Sequence, residues 1–287
     1  MWLSYALLAA LFFGLRAVLY QWVSQKNVNR SLMLCGVYST GFIVAIIGML
    51  VLGHRFHSWP ASIAGLSMGL FSFAANAALY KGFAVGKASV VGVLSGLASP
   101  LVMLLAYLGW GETLSPVQLI GFVILFFGIN LIRYSNELSF KNLKGAHWAL
   151  LASLSFAMTD LSSKQSTLFG ADIFASIVLM FGFASLLFFI SWWRTKDSVN
   201  DTQELRWSIA KTYRVGMAVG LSNVVGMVLI LLAFQHGPTG LVSAVAAMNV
   251  LVLLVYSRVV LKDEFRATEI AGVSAALLGI VVLKLLS

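Results

Sequence analysis

LYKGFAVGKASVVGVLSGLASPLVMLLAYLGWGETLSPVQLIGFVILFFGINLI, residues 79–132, is a stretch the chain uses twice. Moved forward by 151 positions, from Gly86 to Gly237, it lies without a gap on residues 230–283, ILLAFQHGPTGLVSAVAAMNVLVLLVYSRVVLKDEFRATEIAGVSAALLGIVVL. Phe83 falls on Phe234, Val91 on Val242, Gly121 on Gly272, Gly128 on Gly279 and Ile129 on Ile280. Acidic Glu112 falls on acidic Asp263, each nine residues before the first glycine of a Gly-x6-Gly pair. Chance overlap of apolar sequence matches leucines and valines. It does not hold glycines and an acid in register across two helices, so the stretch is one structural unit used twice.

Composition places the repeat in lipid. The 287 residues are 60% hydrophobic and 10% charged, with a mean hydropathy of +0.93. A soluble domain carries about a quarter charged residues. The formal charge of +9 suits basic loops that set topology and meet anionic headgroups, and no nucleic-acid partner is implied. The single cysteine, Cys35, has no partner for an internal disulfide. No metal-type Cys/His spacing, Ser/His/Asp grouping, phosphate-binding loop or HExxH motif occurs, so neither an enzyme nor a cofactor is expected.

Apolar runs near the bilayer-crossing length of about 20 residues recur ten times, at 2–23, 31–53, 61–80, 88–109, 116–132, 146–166, 171–193, 213–235, 239–257 and 268–286. The first run belongs to the repeat and is not a signal peptide: Tyr5–Phe13 matches Trp148–Phe156 at an offset of 143. The offset grows to 151 across the polar loop Thr195–Lys211, read as solvated and mobile. The reading is therefore an all-helical polytopic membrane protein with a first five-helix repeat at 1–133, a polar linker at 134–145 and a second repeat at 146–287. Five helices is an odd number, so the second repeat enters the membrane from the opposite side. The repeats are inverted about an axis in the membrane plane, the arrangement of many transporters.

Loops after the first, third, fifth, seventh and ninth helices hold fifteen of the nineteen basic residues, and the other face holds three. The positive-inside rule puts the fifteen in the cytoplasm and both termini outside.

The two matched segments, Glu112-Thr-Leu-Ser-Pro-Val-Gln118-Leu-Ile-Gly121 and Asp263-Glu-Phe-Arg-Ala-Thr-Glu269-Ile-Ala-Gly272, carry a family resemblance. An acid, then Gln or Glu six residues on, then Gly-x6-Gly, in each of two five-helix halves, resembles the EamA-type transporters of the drug/metabolite transporter superfamily. The resemblance covers nearly the whole chain. It implies transport of small molecules such as amino acids, sugars, nucleotide-sugars, choline-like compounds or drugs. It implies a central cavity lined by the first, third, fourth, sixth, eighth and ninth helices. Many ten-helix members are drawn with both termini in the cytoplasm, the reverse of the basic-residue count here.

Arg16, inside the first helix, is the sharpest site candidate. A charge at the centre of a membrane helix costs about 2.5–3.5 kcal/mol on insertion scales and faces a cavity or partner; the competing reading is a stem that snorkels to the headgroups. In the repeat register Arg16 falls on Thr159, next to Asp160. The two charges are expected to pair across the cavity or to hold the two ends of a zwitterion, against a purely structural salt bridge. Asp160 is also the candidate carrier of a coupling proton. Asn76, Asn223 and Asn249 both donate and accept, which suits substrate orientation or interhelical bonding. Tyr20 and Tyr38 are placed on the path and Tyr80 at the interface. Ser95, Ser99 and Pro100 are read as loosening the fourth helix and forming part of the site, with local packing as the competing role of the serines.

Glu112 and Asp263 are read as favouring the N-terminal dipoles of the fifth and tenth helices, and the Gly-x6-Gly faces as packing. His54 and His57 are read as exposed loop residues with no acid nearby. The functional expectation is a secondary transporter of the cell membrane, exporting a small metabolite, amino-acid-like compound or drug by alternating access. A non-transporting receptor or assembly protein and an intramembrane lipid enzyme are the alternatives.

Overall fold

In lipid a backbone N–H or C=O finds no water, so each apolar run closes its hydrogen bonds as a helix. The computed structural model describes the chain except residues 25, 27, 57, 87, 135–143, 201–206, 261, 263–265 and 286–287, and except the side chains of 24, 88, 89 and 196–200. Helices α1 (Trp2–Ser24), α2 (Arg30–Val51) and α3 (Trp59–Val85) lead into a crossing made of two pieces, α4 (Ala88–Ser95) and α5 (Ala98–Trp110), and then α6 (Pro116–Arg133). The second half repeats the order with α7 (Ala146–Leu168), α8 (Ile173–Asn200), α9 (Ile209–His236), the broken pair α10 (Thr239–Ala246) and α11 (Asn249–Val259), and α12 (Ala267–Leu285). Ten crossings result among the described residues.

Nine of the ten are long and apolar enough to span a bilayer by composition alone. The tenth, α7, is as long as α1 but carries Asp160, Lys164 and a series of hydroxyls. Ser153, Ser155, Thr159, Ser162, Ser163 and Ser166 are buried, so its polarity is turned toward neighbouring helices. Two expectations shift at loops. Helix α8 runs on to Asn200, because nothing from Thr195 to Asn200 is a helix breaker; residues 201–206 of the Thr195–Lys211 loop lie outside the described residues. Most of the 134–145 linker lies outside them too.

The pseudo-two-fold is visible atom by atom. Side chains at Gly216 and Gly220 of α9 would strike the carbonyls of Met33 and Val37 on α2. Side chains at Gly65 and Gly69 of α3 would approach the carbonyls of Ser176 and Met180 on α8. The glycines correspond at an offset of 151 and the residues whose carbonyls they face at 143. One interface is thus built twice, with the register change falling between the second and third helices of each half. On the axis itself, α6 packs along α12. A Cβ at Gly128 would meet Ala276 and Gly272, and one at Gly272 would meet Gly128 and Ile132. The Gly-x6-Gly faces are packing surfaces, as expected.

The repeated Gln118/Glu269 position is a cap. Gln118 accepts from the Ser115 N–H at 3.0 Å while the Ser115 hydroxyl accepts from the Gln118 N–H at 3.2 Å, a reciprocal capping box that starts α6 behind Pro116. Glu269 likewise accepts from the Arg266 N–H at 3.0 Å and pairs with Arg258.

Both broken crossings break at equivalent points, Gly96-Leu97 and Ala247-Met248. The chain tightens there to i→i−3 bonds, Gly96 N–H to Val93 and Leu97 N–H to Leu94 in the first, Met248 N–H to Val245 in the second. In the first, Pro100 also has no N–H to offer the Gly96 carbonyl. Ser95 bonds the Gly92 carbonyl at 2.8 Å, and Ser153 of α7 bonds the Leu94 carbonyl at 2.6 Å. The break is thus tied to the helix beside it.

Candidate functional site

The helices alternate in direction, which defines two ends. The terminal end holds both termini and the α9–α10 turn; the basic end holds the α1–α2, α3–α4 and α8–α9 connections.

At the terminal end α10 packs against α5 of the first half and α7 of its own, and α7 packs against α9. Each of these pairs has a counterpart at the basic end: α4 with α11, α4 with α1, and α1 with α3. None of the counterparts forms a comparable interface among the described residues. All eight residues of α10 are buried, whereas Gly92 to Ser95 of α4 are half-exposed. Among the described residues, these contacts close the terminal end and have no equivalent at the basic, or parted, end.

The closed end is fastened by polar contacts, Glu112–Thr239 and His54–Asp172 across the repeats and those of Lys164 and Asp160 within the second. Glu112 accepts from both the N–H and the hydroxyl of Thr239, the first residue of α10. It does cap a helix, but that helix is α10 and not its own α6; α6 already has Ser115. Its counterpart Asp263 lies outside the described residues. Lys164 donates to the Phe234 and Gly237 carbonyls at 2.7 and 3.1 Å, covering the C-terminus of α9. Asp160 accepts from Ser243 of α10 at 2.5 Å. His54 lies 2.6 Å from Asp172, which also takes the Arg55 N–H at 3.2 Å. The expectation of no acid near His54 fails because Asp172 arrives from the other repeat; His57 lies outside the described residues.

A second polar group lies toward the parted end. Arg16 donates through Nη1 to Asn223 at 2.5 Å and packs over the Phe13 and Tyr20 rings, 4.9 and 5.6 Å from their centroids. Its Nε is buried without a hydrogen-bond partner. Tyr38 bonds Ser72, and Asn76 donates to the Tyr38 hydroxyl at 3.3 Å and the Ser72 carbonyl at 2.8 Å. Arg30 stacks on Tyr80 at 4.6 Å. Helices α1, α2, α3 and α9 thus bring together Arg16, Tyr20, Tyr38, Asn76 and Asn223. The set mixes one cation, aromatic faces and neutral donors and acceptors, which matches the anatomy of a site for a small polar ligand.

Arg16 and Asp160 do not meet. Each is three residues past the midpoint of a 23-residue helix. Because the repeats are inverted, equal positions fall on opposite sides of the midplane, about 9 Å apart along the normal at 1.5 Å per residue. Asn249, half-buried, begins α11 just beyond the break. Ser95 and buried Ser99 flank the break in the first half. These three belong to the broken crossings.

Sequence reading passed over Lys164, although its place four residues after Asp160 puts both on one helix face. It also passed over Ser72 and Ser243, which carry no signal of their own.

A search of curated proteins finds no match. One crystal structure, described only as that of a protein, has a TM-score of 0.78 with this chain, covering 99% of it and 98% of the other at 16% identity. At that identity the likeness is one of fold. The model of the EamA-like transporter family matches residues 1–134 and again residues 143–285. With nearly the whole chain matched, in the two halves whose helices pack as inverted equivalents, the protein belongs to the EamA-like transporter family of the drug/metabolite transporter superfamily.

Proposed function

We propose that the chain is a secondary transporter of the cell membrane that exports a small metabolite, amino-acid-like compound or drug by alternating access. The observation that carries this is the one-sided closure: α5 lies against α10 while the equivalent α4 and α11 are parted. Two structurally equivalent gates in opposite states are what an inverted repeat needs in order to expose one site to each side in turn.

In this reading Arg16 holds an anionic group of the substrate through its unpartnered Nε, and Tyr20, Asn76 and Asn223 orient the remainder. Asp160 serves the other end of the substrate or carries a coupling proton. Its contact to Ser243 links its charge to the packing of α10, because a neutral carboxyl holds that hydroxyl less strongly than a carboxylate. Asn249, Ser95 and Ser99 act at the broken crossings, where half-helix ends approach the site. The two repeats work as units spanning 1–133 and 146–287.

The test uses the closed gate. A side chain at Gly240 of α10 would lie against Met103 of α5. In a Cys35→Ser background, Met103→Cys with Gly240→Cys is oxidised in proteoliposomes. Transport by alternating access stops on oxidation and returns on reduction. Flux that continues through the cross-linked protein overturns the reading, and the absence of flux under any gradient favours a receptor or assembly role.

A further inference from the structure

Beside the site described above, an open cleft of about 650 Å³ runs between α2, α8 and α9 at the basic end. Its walls are Leu32, Leu186, Phe189, Trp192, Ile209 and Tyr213. Leu186, Phe189 and Ile209 are also exposed on the outer surface of the bundle, so the cleft opens sideways into the bilayer. Its floor is polar but already paired. The Ser39 and Ser185 hydroxyls bond each other at 2.9 Å, and the Cys35 sulfur lies 3.8 Å from the Ser185 hydroxyl. Nothing on the floor demands a polar ligand.

The equivalent place in the other half, between α3 and α8 beside Asp172, holds a space of only about 10 Å³. There Phe42 fills the surface over Gly182, and Phe174 that over Gly48. The fold therefore does not oblige the open cleft to exist; Ser185 stands where the other half has Phe42, so no ring fills the space.

We infer that the cleft seats an acyl chain of an anionic membrane lipid from the leaflet at the basic end. An empty apolar cleft facing lipid leaves its walls without contact partners on one side, and the nearest material is hydrocarbon. From Ser185 to Trp192 the cleft reaches about 10 Å into the bilayer at 1.5 Å per residue, so a chain enters from the headgroup level. Headgroup chemistry follows from the mouth. Arg194, Lys211 and Arg214, all exposed, are the basic side chains described at this end of α8 and α9. Lys211 lies over the Trp207 ring and Lys26 over Trp22, at 4.8 and 5.7 Å, and the two tryptophan rings meet tilted at 54° with centroids 5.7 Å apart. Aromatic and basic side chains at that level are interfacial anchors that attract anionic lipid.

The inference is independent of what the protein transports, and its test involves no transport. The purified chain is placed in phosphatidylcholine vesicles with a trace of phosphatidylglycerol carrying a diazirine in its acyl chain. After irradiation and digestion the adducts are mapped. They concentrate several-fold on segments 32–39, 185–192 and 209–213 relative to Leu277 and Leu278, which face lipid on α12. Filling the cleft with Ser185→Phe removes that excess and leaves α12 labelling unchanged; the milder Ser39→Val reduces it where the larger change harms folding. A zwitterionic probe with the same diazirine chain labels the cleft less. Adducts spread evenly over the lipid-facing surface overturn the site, and equal labelling by both probes overturns its anionic selectivity.

Discussion

Glu112 of the first repeat holds Thr239 of the second: its carboxylate accepts both the N–H and the hydroxyl of the residue that starts α10, the hydroxyl at 2.7 Å. The acid that marks each repeat in sequence is therefore a clasp between repeats at the closed end. Its loss leaves an uncapped half-helix inside the membrane, a defect worth about 0.5–2 kcal/mol by comparison with helix N-caps. Glu112→Ala is expected to shift the protein toward a state open at the terminal end. Alkylation of a cysteine placed at Thr239 or Ser243, from the terminal side, rises in the Glu112→Ala background. Unchanged alkylation disproves a gating role for the clasp.

The paired glycines at the axis make a stricter prediction. Gly128 and Gly272 touch through backbone, where a Cβ at either meets main-chain atoms of the other helix. Backbone does not yield as a side-chain tip does, and forced overpacking costs about 1–3 kcal/mol or more. Gly272→Leu is expected to lower the thermal stability of the detergent-purified protein markedly, while Gly92→Leu, where a Cβ meets nothing within 4 Å, is tolerated. Equal stability for both variants removes the axis from the account.

How much of this was legible in the sequence follows from what repeats and what does not. The register of Gly121, Gly128, Gly272 and Gly279 disclosed the inverted pair, because packing on an axis must be built from both halves. Arg16 was legible because a charge among Leu15, Ala17, Val18 and Leu19 has no cheap explanation. The target of Glu112 was not legible, since α10 is 127 positions away and only the fold brings it there. Pairing of Arg16 with Asp160, one of the two roles expected of them, is not seen for a related reason. Equal register in inverted repeats means mirrored depth, so the two charges fall on opposite sides of the midplane.

Orientation rests on charge alone. Fifteen of the nineteen basic residues fall in the stretches after the first, third, fifth, seventh and ninth crossings, and the positive-inside rule assigns that side to the cytoplasm. A Ser198→Cys variant in intact cells, in a Cys35→Ser background, is expected to resist labelling by a membrane-impermeant maleimide until the cells are opened. Strong labelling from outside reverses the orientation and puts the parted end on the exterior.

Arg16 and Asn223 are predicted to act together on substrate. Removing the guanidinium takes away an interaction with the ligand, whereas Asn223→Ala leaves the charge but frees its direction. Arg16→Ala is expected to raise the transport KM by about tenfold or more, on the scale of 1.4 kcal/mol per tenfold for one lost charged contact. Asn223→Ala produces a smaller rise, and Arg16→Lys restores part of the loss. Normal KM values in folded Arg16→Ala protein make Arg16 a structural residue.

Asp160 separates two mechanisms by one substitution. It is the acid held inside α7, and Ser243 ties it to the half-helix that closes the terminal end. If it carries the coupling proton, protonation must accompany a change in how α10 is held, since an ionised carboxylate only accepts while a neutral carboxyl also donates. Asp160→Asn keeps the shape and both hydrogen-bonding roles but takes no proton. The expected result is loss of uptake driven by a pH gradient with substrate exchange at zero gradient retained, because exchange needs the site and the gates but no net proton movement. If Asp160 instead holds the cationic end of the substrate, driven uptake and exchange fall together, and added proton gradient rescues neither. Transport that is normal in both assays, in protein that inserts and folds, removes Asp160 from the mechanism and leaves its bond to Ser243 as a packing contact.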